Sequence, residues 1–212
     1  MASTSNQRLR RAAEKASKRK HTVAQKRKAE LASAAGGPAK EIAEGALAPV
    51  FASAASAELF TDGIGWVILA RQLPSGTLVS SHFLVDVWCL GIKDSFCGKI
   101  SQERFSQQYE AYGANRPLTQ VPPSVARKLL HEAVEWAGKF GFAPGGTYEL
   151  AQALYGDTPL ADDTFSFGKD GKPFYMSGPN DSPARIRQIM AALDKTGGAG
   201  EFDFMVESTA LT

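Results

Sequence analysis

Residues 64–94 constrain what this chain can fold into more than any other stretch. Two apolar runs, 66–73 and 78–90, flank Pro74-Ser75-Gly76. In that loop proline presets one turn residue and glycine is free to take a positive φ, so the pair reads as a β-hairpin. Apolar groups fall on both faces of each run. Val67 and Leu69 alternate with Trp66 and Ile68, and Phe83, Val85 and Val87 alternate with Leu84, Trp88 and Leu90. Strands of this kind belong inside a sheet that is covered on both sides.

Asp86 is the residue in the hairpin that most needs a reason, because it interrupts 83–85 and 87–90. A carboxylate placed there must be paired, accept hydrogen bonds, or take up a proton. Its structural reading is an ion pair with Arg71 or Lys93, or acceptance of loop amide hydrogens. Its chemical reading is a general base or metal ligand together with Asp94. His82 is about 13 Å along a strand from Asp86, too far to share a metal with it. Cys89 and Cys97 lack the CxxC spacing of a zinc site. A Cys89 nucleophile with His82 or His131 stands against a buried structural thiol.

Helical spacing dominates downstream. Ser101 opens a segment in which Phe105, Tyr109 and Tyr112 recur, ending at Gly113. Pro122-Pro123-Ser124 opens the clearest helix, with Val125, Leu129, Leu130, Ala133, Trp136, Ala137 and Phe140 on one side and Gly141 as its cap. A third helix spans 148–155. A second hairpin is expected from 164–167 and 173–176 around Gly168-Lys169-Asp170-Gly171-Lys172, where Asp-Gly is the turn signal. Ser182-Pro183 then caps and opens a last helix, and 201–206 reads as a final strand. The start of that helix, with Arg185 and the nearby Lys169 and Lys172, is a candidate anion site, set against ordinary capping with solvated lysines. The loop is not a P-loop, because the spacing and the following Ser or Thr are absent.

Residues 84–94 taken with 167–173, Phe-Gly-Lys-Asp-Gly-Lys-Pro, resemble an uncharacterised bacterial protein family. The resemblance covers about residues 64–190. It implies one coherent domain and brings no activity with it.

Charge is where a partner first shows itself. The net charge of +2 averages two unlike parts. Residues 1–34 hold Arg8, Arg10, Arg11, Lys15, Lys18, Arg19, Lys20, Lys26, Arg27 and Lys28 against Glu14 and Glu30, which is +8. The remainder, with fourteen basic and twenty acidic residues, carries −6. Helix propensity over 6–34 is high, yet the apolar stripe is nearly all alanine and too thin to bury. Three readings compete for this cationic rod. It binds nucleic-acid phosphates, it is a solvating tail, or it is a targeting segment.

These observations predict an α+β domain over 39–212, a mostly antiparallel sheet with packed helices, preceded by a basic N-terminal helical arm and linker over 1–38. The leading function is a non-enzymatic nucleic-acid-associated protein, with DNA or RNA as partner. An enzyme acting on nucleic acid or a phosphorylated substrate through Asp86 and Asp94, or a protein-interaction domain with a protein partner, stand as alternatives. No cofactor or metal motif is present. No apolar run approaches the roughly 20 residues of a membrane span, and two cysteines without a secretory leader fit a cytoplasmic protein with reduced thiols.

Overall fold

The structure, a computed structural model, describes residues 37–197 and 200–206. The expected helix over 6–34 and its ten basic residues lie outside them. Everything below concerns the unit Ile42–Thr212, apart from the first helix, α1 (Pro38–Ala46), which begins before it; α2 is the single turn Leu59–Asp62.

The hairpin forms as its alternation requires. β2 (Ile64–Gln72) and β3 (Leu78–Asp86) pair antiparallel in continuous register from Ile64 opposite Asp86 to Gln72 opposite Leu78. Gly76, at φ 84°, donates its amide to Leu73 O across the loop. Three further strands complete a five-stranded antiparallel sheet: β1 (Val50–Ser56), β4 (Gly91–Ile100) and β5 (Leu118–Gln120), in the order β4-β3-β2-β1-β5. The hairpin therefore sits inside the sheet, where its two-sided apolar pattern is buried.

Each face has its own cover. On one side Val67, Leu69, Val79, Phe83, Val85 and Ile92 pack against Ala126, Leu129, Leu130 and Ala133 of α4 (Pro123–Gly138). Tyr148 and Ala151 of α5 (Tyr148–Gln152), with Leu154 and Tyr155 of the 3-10 turn that follows, extend this layer. On the other side Ile68, Ala70 and Leu78 meet Phe105 of α3 (Gln102–Asn115), and Trp66 stacks on Tyr112 at 4.4 Å. Phe83 is fully buried between strands and helices, a position worth about 3 kcal/mol or more against truncation.

A smaller second core gathers Cys89, Leu90, Tyr175, Ile186, Ile189 and Leu193. It is closed by β6 (Phe174–Met176), α6 (Pro183–Gly197) and β7 (Asp203–Met205), with β6 and β7 parallel. Parallel neighbours need a crossover, and α6 supplies it. Ser182 caps α6 by accepting the Arg185 amide, and Pro183 occupies its first position.

Several boundaries differ from expectation. The run 78–90 is not one strand, since β3 ends at Asp86 and residues 87–90 are a tight reversal into β4. Residues 164–167 form no strand. The Asp-Gly turn is present, with Lys169 bridged to Lys172, but Gly168 and Phe174 donate their amides to Val87 O and Trp88 O of the reversal instead. The helix begun at Ser101 runs to Asn115, past Gly113, because a glycine in a solvated helix weakens the helix without ending it.

Gly91 is where the reversal meets the helix layer. Its φ is 67°, and an added Cβ would stand 2.7 Å from both Ala133 O and Ala137 Cβ of α4. Gly76 also has positive φ, with nothing within 4 Å of such a Cβ. Gly76→Ala is expected to lower stability by about 1–2 kcal/mol through backbone strain alone. Gly91→Ala adds overpacking and is expected to cost about 2–5 kcal/mol. Urea unfolding midpoints of the two variants check this, and equal losses would contradict the close packing at Gly91.

Candidate functional site

Asp86 ends β3 with its carboxylate turned onto the reversal. Oδ1 accepts the amides of Trp88 at 3.1 Å and Cys89 at 2.8 Å. The side chain is 6% exposed. Burial pushes the carboxyl up to about 6, while the Cys89 amide and the Lys93 charge pull against that rise. Of the readings open in the sequence, the geometry is that of amide acceptance, with Lys93 as the nearby charge. Arg71 is occupied elsewhere, on Ala48 O, Tyr155 O and the Thr158 hydroxyl. Asp94 lies opposite Leu84 on β4, exposed, with Oδ1 accepting the Ser95 amide at 2.8 Å. The two carboxylates hold different amides.

Around the reversal the remaining polar groups are paired. Asp181 Oδ2 accepts from the Gly178 amide at 2.8 Å and the Tyr175 hydroxyl at 3.1 Å, with Lys93 Nζ at 3.7 Å. Lys169 Nζ lies 4.4 Å from the ring centre of Phe174 and 5.1 Å from that of Trp88. Lys172 donates to Gly200 O, and the amide of Arg185 is taken by the Ser182 cap. Lys169 and Lys172 thus have separate local roles, and the Arg185 amide serves the helix cap. Cys89 is buried in the second core, where desolvation and the Asp86 charge push its thiol up, away from the thiolate a nucleophile needs. His131 is paired with Glu135 along α4. Among the described residues no group of three or more His, Cys, Asp or Glu is placed to hold a metal ion.

The other face of the sheet carries a cavity of about 440 Å³ between β3, β4 and α3. His82 and Ser80 line it from β3, Phe96 and Gly98 from β4, and Arg104 and Gln108 from α3. The positions follow from strand and helix periods: 80 and 82 share a strand face, and 104 and 108 are one helical turn apart. His82 is 1% exposed and lies parallel to Phe96, centroids 4.7 Å apart. Its Nε2 is 3.0 Å from the Ser80 hydroxyl. Its Nδ1, like Gln108 Oε1, is buried without a hydrogen-bond partner among the described residues. Burial lowers the imidazole to about 4, so the ring is neutral at pH 7.

This site escaped the sequence analysis, which weighed His82 only beside Asp86 and Cys89. The pairing of His82 with Phe96 depends on β4, whose Lys, Asp, Ser and Gly content hides its strand character. A signal was present in Arg104 and Gln108, polar residues one turn apart and flanking the apolar stripe of Phe105 and Tyr109.

The buried carboxylate makes a pH prediction with a definite sign. A carboxyl raised from 3.8 to about 6 favours the fold below pH 3.8, and that contribution is lost as pH rises through 6. Asp86→Asn keeps an oxygen for the two amides and carries no charge. Relative to wild type, its unfolding free energy is expected to rise by up to about 3 kcal/mol between pH 3.5 and pH 7. Urea unfolding across that range checks it, and a pH-independent difference would contradict a buried, titrating Asp86.

No protein-family model, no curated protein and no solved structure matches this chain. Its function is therefore read from its own residues.

Proposed function

We propose that this protein is a non-enzymatic, nucleic-acid-associated protein that holds the phosphate backbone of DNA or RNA through its N-terminal arm. The observation that carries the reading is the segregation of charge. Ten basic residues, Arg8 through Lys28, stand against two acidic ones in residues 1–34, ahead of a remainder at −6. Each Lys or Arg that meets a phosphate releases a condensed counterion, an attraction that needs no base contact. An acidic remainder gives no comparable attraction, so the arm is the part on which a polyanion would settle.

The place of Asp86 favours binding over catalysis. An enzyme built on Asp86 and Asp94 needs both at one reachable cleft. Asp86 is instead buried on the Trp88 and Cys89 amides, a position that backbone binding tolerates. No helix among the described residues is long and apolar enough to cross a membrane, and neither Cys89 nor Cys97 is in a disulfide, which fits a reducing, cytoplasmic setting.

The test is the affinity of the full chain for a labelled duplex DNA and a single-stranded RNA of mixed sequence across a salt series. A protein meeting six to ten phosphates is expected to lose about 10³–10⁵ in affinity between 50 and 200 mM salt. Replacing Arg8, Arg10, Arg11, Lys18, Arg19, Lys20, Lys26, Arg27 and Lys28 by Gln is expected to flatten that slope and abolish tight binding. Equal affinity of the two proteins would overturn the proposal.

A further inference from the structure

The chain holds two Asp-Gly pairs, Asp62-Gly63 and Asp170-Gly171, and the fold treats them in opposite ways. In such a pair the side-chain carboxyl carbon and the next amide nitrogen are placed to close a five-membered ring, and glycine has no side chain to obstruct the closure. At the first pair both reacting groups are held. The Asp62 carboxylate lies on the guanidinium of Arg116, and the Gly63 amide donates to Leu59 O at 2.9 Å. Asp62 is half-buried and Gly63 is buried, with the Trp88 ring where a Cβ would stand.

At the second pair neither group is held. Asp170 and Gly171 are both exposed and are the two central residues of a tight turn, at φ 55° and 79°. Asp170 is the one non-glycine residue with a positive φ among the described residues, a conformation that costs an ordinary side chain strain. Lys169 and Lys172 close the turn by exchanging amide-to-carbonyl bonds of 2.8 and 3.1 Å. Those bonds leave the Gly171 amide without a hydrogen-bond partner among the described residues, and no hydrogen bond or ion pair there holds the Asp170 carboxylate. Nothing lies within 4 Å of an added Cβ at Gly171, so no neighbouring group walls in the reacting pair.

We propose that Asp170-Gly171 is a modification site at which the chain isomerises without an enzyme, aspartate becoming isoaspartate, and that the conversion loosens the hold of β6 on the reversal. The Gly171 nitrogen attacks Cγ of the protonated Asp170 carboxyl. The N–Cγ bond forms, the Cγ–OH bond breaks, and the hydroxyl leaves with the amide proton as water. Water then opens the ring. Opening at Cγ restores aspartate, whereas opening at the main-chain carbonyl breaks the bond between Asp170 C and Gly171 N. The chain then runs through Cβ and Cγ and carries a free α-carboxylate, with composition and oxidation state unchanged. One atom is added to the main chain inside the turn, beside Gly168 and Phe174, whose amides hang this segment on Val87 O and Trp88 O. The reaction is independent of what the arm binds.

The experiment is incubation of the full chain for several weeks at neutral pH and body temperature, folded and, in parallel, unfolded in guanidinium chloride. Peptide mapping with an endoproteinase that cuts before aspartate but not before isoaspartate locates the product, and methyl transfer by an isoaspartate methyltransferase counts it. In the folded chain isoaspartate is expected to form at Asp170 at least tenfold faster than at Asp62. In guanidinium chloride, where Arg116 and Leu59 no longer protect the first pair, the two are expected to convert at comparable rates. Asp170→Asn suits the same turn and closes the same ring with ammonia as the leaving group, so it is expected to form isoaspartate at this position at least tenfold faster than wild type. The converted fraction, separated by chromatography, is expected to unfold at a lower urea concentration than the unconverted one. The proposal is overturned if the folded chain yields no isoaspartate at Asp170, if Asp62 keeps pace with it, if the tenfold ratio persists in guanidinium chloride, if Asp170→Asn is no faster, or if the converted protein unfolds at the same urea concentration.

Discussion

One carboxylate oxygen, Asp86 Oδ1, turns the sheet back on itself. By accepting the amides of Trp88 and Cys89 it closes the reversal from which β4 departs. The same reversal offers Val87 O and Trp88 O to the amides of Gly168 and Phe174, and places Cys89 and Leu90 in the second core. Without it β3 and β4 lose their connection, and the segment around β6 loses the peptide groups it hangs from. The cost is a partly desolvated charge, offset by two amides and the nearby Lys93. That balance explains an acid at a position where the surrounding residues are apolar. An apolar side chain there would leave the two amides unanswered inside the protein.

The polar residues of β3 divide by how well they are satisfied. Ser81, on the face covered by α4 and α5, donates its hydroxyl to Ala151 O at 2.8 Å and is fully buried. It behaves as a fastening between layers. His82, on the opposite face, has one ring nitrogen engaged and one buried without a hydrogen-bond partner among the described residues. Adjacent residues on one strand thus face two environments, one tying sheet to helix and the other lying beside an open groove.

How far these features were legible depended on whether local pattern or distant contact decided them. The hairpin of β2 and β3 was readable because its alternation and its Pro-Ser-Gly loop are both local. The helices of Pro123–Gly138 and Pro183–Gly197 were readable from their prolines, caps and apolar spacing. β1 was not, since Val-Phe-Ala-Ser-Ala-Ala-Ser has little β-branching and becomes a strand by lying between β2 and β5. Residues 164–167 carried a clear strand pattern and no partner strand to use it. Asp86 was recognised as needing amides or a charge, yet its meaning as a chain reversal rested on Gly91 fitting beneath α4, a contact some forty residues away in sequence. The cavity was invisible for the same reason, being assembled from strands and a helix whose shared faces exist only after β4 has formed.

The parallel pair of β6 and β7 has a consequence for how the chain is made. The two strands are three residues each and meet only once α6 lies between them. Their partners in the second core, Cys89 and Leu90, belong to a reversal that leaves the ribosome roughly a hundred residues sooner. All five strands of the main sheet are therefore synthesised before the helix that covers that apolar corner. For that interval Cys89 and Leu90 lack the cover that α6 gives them in the finished fold.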